Sequence, residues 1–131
     1  MTEPELIQKI TEFRSLPAET EVVEFKEAKN DFHFDKIGKY FSALANEANL
    51  KNTPDAWLVF GIENKHRNIV GSNYRHNSRP ALDSLKAELA QKTTNNITFI
   101  EIHELQFPEG RVVLFQIPAA PKGLPIAYEG H

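Results

Sequence analysis

The sequence predicts an α+β fold, a mixed and largely antiparallel sheet flanked by about three helices. Three observations predict it. Apolar residues recur at helical intervals in three separate stretches, about residues 3–15, 35–49 and 80–92. β-rich runs alternate with them and follow them, in the order α-β-α-β-β-α-β-β. The last two runs, 97–105 and 111–117, are parted only by Gln106-Phe107-Pro108-Glu109-Gly110, which marks an antiparallel hairpin.

Each element has a local reason. Thr2 and Glu5 have capping-box spacing ahead of Leu6, Ile10 and Phe13, so the first helix starts at the N-terminus, and Leu16-Pro17 ends it. In Glu21-Val22-Val23-Glu24-Phe25-Lys26, Val23 and Phe25 share one face and Glu24 and Lys26 the other, a strand with one face free for chemistry. Ile37, Tyr40, Phe41, Leu44, Ala45 and Ala48 form one apolar stripe of a second helix. Ala56–Ile62 is almost continuously apolar and reads as a central strand covered on both sides. After the polar turn Glu63–Asn68, Ile69-Val70 returns briefly to the sheet. A long polar loop then leads to a helix that Ser78 caps and Pro80 opens. Pro118, Pro121 and Pro125 suggest a loosely held end.

With 131 residues, 40% of them hydrophobic, the chain suits one domain, residues 1–131, with a real core. It has no cysteine, which excludes disulfides, thiolate-zinc sites and a cysteine nucleophile. No apolar run is long enough for a membrane span and the charged start does not suit a signal peptide, so the expectation is a cytoplasmic protein without membrane association. The glycines form neither a dinucleotide fingerprint nor a P-loop, and no serine stands in a nucleophile elbow. Net charge is −3, yet residues 1–63 hold twelve acids against seven bases and residues 64–131 six against eight. Nucleic-acid binding would therefore have to come from a local patch.

Such a patch is visible. Between Lys65 and Arg79 lie four fixed cations and no acid: Lys65, Arg67, Arg75 and Arg79, joined by His66 and His76. Arginine forks and lysine point charges suit phosphates, the loop's Asn and Ser residues add neutral donors, and Tyr74 could stack on an exposed base. Lys26 and Lys29 border the patch. Solvation alone also fills polar loops with charge. A second candidate is acidic: Glu19 and Glu24, with Glu63 as a third carboxylate, the oxygen set that holds Mg²⁺ or Mn²⁺ for phosphodiester cleavage. A strand glutamate also pairs ordinarily with a neighbour such as Lys26.

The order of short motifs adds a resemblance. Glu19-Thr20-Glu21-Val22-Val23-Glu24-Phe25-Lys26 is followed by Ile37-Gly38-Lys39, Ser42-Ala43-Leu44-Ala45-Asn46, Leu58-Val59-Phe60-Gly61-Ile62-Glu63 and Ile69-Val70-Gly71. The chain resembles the Schlafen AlbA-type domain over about residues 17–128. That resemblance implies an α+β fold and a DNA-binding module of a transcriptional regulator or ATP-binding protein, with further domains C-terminal to this segment. It also implies RNA as a second class of partner and, in some members, a three-carboxylate metal site. Two of those carboxylates match Glu19 and Glu24, and the third falls at Glu63 or Asn64. Where the family commonly has a short Gly-Gly turn, this sequence runs from Glu47 to Asp55 without glycine.

Three functions are therefore expected to compete. The first is a nucleic-acid-binding domain without a cofactor, using Lys65, His66, Arg67, Tyr74, Arg75, His76, Arg79 and Lys26. The second is a metal-dependent endoribonuclease with Glu19, Glu24 and Glu63 as ligands. The third is a protein-interaction or homodimerisation module in which the basic loop meets an acidic partner.

Overall fold

The computed structural model describes residues 1–15 and 22–128. In chain order the elements are α1 (Glu3–Arg14), β1 (Val23–Lys26), α2 (Phe34–Leu50), β2 (Asp55–Phe60), α3 (Arg79–Ala90), a short 3₁₀ turn at Thr94–Asn96, β3 (Glu101–Phe107) and β4 (Gly110–Pro118). The four strands form one sheet in the order β1-β2-β4-β3. β1 and β2 pair in parallel across the α2 crossover, and the β2–β4 and β4–β3 pairs are antiparallel. The expected mixed, largely antiparallel sheet with three helices is thus observed.

Strand alternation sorts the core into two layers. Leu58, Phe60, Ile102, Val113, Phe115 and Ile117 face α2 and α3, where they meet Phe41, Leu44, Leu82, Leu85 and Leu89. Val23, Phe25, Trp57, Val59, Leu105, Val112 and Leu114 face the other way and receive Leu6, Ile10 and Phe13 of α1. β2, between two neighbours and two helical layers, is buried from Ala56 to Phe60, which is why its sequence shows no polar face. α1 begins with the expected capping box, Glu5 N–H donating to Thr2 Oγ1 and Thr2 N–H to Glu5 Oε1. Ser78 accepts from Ala81 N–H to start α3.

Two expectations about connections change. Ile69-Val70 makes no strand: Ile69 forms a single bridge with Ile62, and Val70 and Gly71 N–H both donate to Gly61 O, folding the chain back at once. The proline-rich end is not loose through residue 128. Asn46 grips Ile126 with both ends of its amide, donating to Ile126 O and accepting from Ile126 N–H. Ala120 N–H donates to Ala45 O. The Tyr128 hydroxyl donates to Asp35, and its ring fills the notch at Gly38, where any Cβ would lie 2.2 Å from a ring carbon. The helix motif around Gly38, Ala45 and Asn46 therefore holds the segment 120–128.

Candidate functional site

Because β1 and β2 run parallel, Lys26 and Phe60 finish at the same end of the sheet, beside the β3–β4 turn. The connections 27–33 and 61–78 meet there. Ser72 Oγ donates to Ala28 O at 2.5 Å and Asn73 N–H to Lys29 O at 2.7 Å. Gly71 and Gly110 touch so closely that a Cβ on Gly110 would come within 2.5 Å of Gly71 Cα. That contact explains the glycine after Ile69-Val70. Ala28, Arg67 and Arg75 all have left-handed backbone, with φ of 45°, 61° and 44°.

The arginines expected on phosphates mostly face inward. Arg67 is 7% exposed, its Nη1 donates to Phe13 O at the end of α1, and its guanidinium lies 4.5 Å from the Phe25 ring centroid. Arg14 Nε returns the contact by donating to Arg67 O, so the pair fastens α1 to the loop, with a cation where the helix dipole is negative. Arg75 grips both oxygens of Glu88 at 2.6 and 3.0 Å and also donates to Ala81 O and Ser84 Oγ. The hydrogen bonds with Arg75 hold the Glu88 carboxyl below the usual carboxylate range, and Glu88 in turn raises Arg75. Arg79 is shared among Asp83, Glu101 and Glu104 and donates to Ile102 O. Tyr74 is 4% exposed, edge-on to Phe60, so its ring has no free face for a base. Burial raises its hydroxyl pKa.

Lys65 and His66 behave differently. Glu63 accepts backbone N–H groups from Lys65 at 2.9 Å, His66 at 2.7 Å and Asn68 at 3.2 Å. Led by the Asn68 contact, these bonds lower the Glu63 pKa and fold the carboxylate into the turn. Lys65 and His66 are left exposed at the tip, and Lys65 makes no ion pair among the described residues. Lys29 and His76 approach the same end; Lys29 has a loose pair with Glu27 at 3.7 Å. Lys26 sits 3.9 Å from Glu24 with its ammonium over the Tyr40 ring.

The acidic trio is only partly described, since Glu19 lies outside the described residues. Of the other two, Glu63 has both oxygens on amides of its own turn and Glu24 lies beside Lys26, a donor set already satisfied by protein. No group of three metal-ligating side chains forms among the described residues. Arg111 is the residue that sequence reasoning missed at this end. A strand arginine gives no signal by itself, yet its Nη1 donates to Ser72 O and Tyr74 O while Nε holds Glu104.

The family model described as Schlafen, AlbA_2 matches residues 19–131. The chain belongs to that family. Among solved structures, the DIP2311 protein from Corynebacterium diphtheriae is similar, with a TM-score of 0.54 at 20% identity, over 96% of this chain and 24% of that one. The present chain thus spans about a quarter of that protein, and the likeness is one of fold. The N-terminal domain of a RecG-related protein from Nitrosomonas europaea aligns over 90% of this chain and 82% of that one, with a TM-score of 0.48 and 17% identity. None of the curated proteins matches the sequence. No helix among the described residues of this Schlafen AlbA_2 chain is long and apolar enough to cross a membrane.

Proposed function

We propose that this chain is a nucleic-acid-binding domain of a regulatory protein that holds the phosphate backbone, duplex DNA foremost, at the loop end of its sheet. The observation that carries the reading is the turn at residues 63–68. Its one carboxylate is turned onto backbone amides, so the Lys65 and His66 side chains are displayed at the tip with no ion pair among the described residues. Membership of the Schlafen AlbA_2 family supports the same reading. Lys29 and His76 extend the cationic end, whereas Arg67 and Arg75 act through the fold. With its aromatic rings packed into the core, the surface is suited to backbone contacts more than to reading bases.

The test is a salt titration with matched duplex and single-stranded DNA and RNA. On duplex DNA each neutralised phosphate steepens the plot of log affinity against log salt by about 0.9. A slope of about −2 to −4 is expected from Lys65, Lys29 and their histidine neighbours. Absence of salt-dependent binding to all four would overturn the reading.

A further inference from the structure

Two polar clefts of similar size flank the β3–β4 side of the sheet, and their linings differ in charge. The cleft beside α3, about 570 Å³, has Arg79 and Lys86 opposed by Asp83, Glu101 and Glu104, a closed set of ion pairs. The cleft at the loop end, about 610 Å³, is lined by Lys29, Arg111, His76, Asn30, Asn73 and Gln106 with no carboxylate among its walls. We propose that this second cleft seats one phosphate group.

The donors fit an oxyanion. Arg111 lines the cleft with its guanidinium fixed by Ser72 O, Tyr74 O and its ion pair with Glu104, and its buried Nη2 has no hydrogen-bond partner among the described residues. The amide side chains of Asn30 and Asn73 bond to no described residue and are open to the cleft's ligand. His76 Nδ1 lies 2.7 Å from Asn73 O, and a carbonyl only accepts, so Nδ1 carries the proton and Nε2 is left free. Lys29 is exposed, and its 3.7 Å pair with Glu27, also exposed, is weak enough to yield to a phosphate. The walls are held in shape by other contacts: the Ser72 hydroxyl on Ala28 O, the backbone bond from Asn73 N–H to Lys29 O, and the Gly71–Gly110 approach.

A phosphate could come from the interior of a strand or from a terminal or free monoester. The inference draws on the nucleic-acid reading for the first source only. The experiment titrates the ¹⁵N-labelled chain with inorganic phosphate against potassium chloride of equal ionic strength, then repeats it with Lys29→Ala/His76→Ala. Saturating amide shifts confined to residues 29–30, 72–76 and 111, weakened about tenfold in the variant, are expected. No saturation, or shifts that survive unchanged in the variant, would overturn the cleft. A second arm compares duplexes with 5′-phosphate and 5′-hydroxyl ends. Preference for the 5′-phosphate supports a monoester ligand, and equal binding that still weakens in the variant supports an internal phosphodiester. Duplex binding that depends on Lys65 but not on Lys29 and His76, with no saturating phosphate shifts, would sink the cleft and leave the nucleic-acid reading intact. Phosphate shifts without any oligonucleotide binding would do the reverse.

Discussion

Within one loop the chain treats its cations in two opposite ways. Lys65 and His66 sit at the tip of a turn whose only acid bonds to backbone amides, whereas Arg67 and Arg75, a few residues on, are held by protein acceptors on nearly every side. Lys65, Arg67 and Arg75 count equally in a charge tally. The difference lies in what each side chain can do at its place. A guanidinium can satisfy several carbonyls and a carboxylate at once and is weakly hydrated, so it serves as a fastener between α1, α3 and the loop. A strongly hydrated ammonium at a turn tip has no such neighbours and stays in water.

The largest break of that comparison is Arg67→Ala. It removes a buried charge-assisted hydrogen bond to Phe13 O and the stacking on Phe25, and it frees the end of α1. We expect a loss of about 3 kcal/mol in urea unfolding, with the salt slope of nucleic-acid binding unchanged in the folded protein. A stable variant with a flatter slope would return Arg67 to the displayed group.

The same division governs what was legible in the sequence. Periodicity gave the helices and central strand, because burial on one or two faces imposes a spacing that any single chain displays. The capping residues Thr2 and Ser78 were readable for the same local reason. Contacts over long separations left no such mark. Arg67 to Phe13, Arg111 to Tyr74 and Asn46 to Ile126 join residues 54, 37 and 80 positions apart. The motif Gly38…Asn46 was visible as a family pattern, but its work in clasping residues 126–128 was not. Gly38→Ala tests that assignment. Its methyl group would overlap the Tyr128 ring, and relief requires moving a buried aromatic away from Asp35. A loss of about 2 kcal/mol is expected. Tyr128→Phe, which keeps the ring and drops one hydrogen bond, should lose about 1 kcal/mol. An unchanged Tm in Gly38→Ala would mean that residues 126–128 are not seated on α2.

Arg75 and Glu88 give a smaller effect with a defined pH sense. Hydrogen bonds from Arg75 lower the folded-state pKa of Glu88 relative to the unfolded chain. The pair therefore stabilises above the unfolded carboxylate value of about 4.3, and that contribution fades as pH falls through the lowered folded value. The groups are partly solvent-exposed, which limits the pair to about 0.5–1 kcal/mol. Glu88→Gln should lower Tm at pH 7 and reduce the further drop between pH 5 and pH 3, read by circular dichroism. An equally steep acid profile in the variant would assign the acid sensitivity to other carboxylates, Glu104 with its two arginine partners first.

Lys65→Ala should do least to stability and is the sharpest contrast to Arg67→Ala. Nothing in the described protein accepts a bond from its ammonium, so unfolding should shift by less than about 0.5 kcal/mol. If the ammonium neutralises one phosphate, the duplex-DNA slope should become shallower by about 0.9, while Lys65→Arg should keep it. Glu63→Gln separates display from charge. A neutral amide keeps one acceptor oxygen and turns a donor NH2 on the remaining backbone N–H, and it removes no cation near the tip, so any loss of affinity there would come from a loosened turn. If Lys65→Ala leaves the slope untouched while Glu63→Gln lowers affinity, the turn matters through its backbone and the displayed lysine is only solvated.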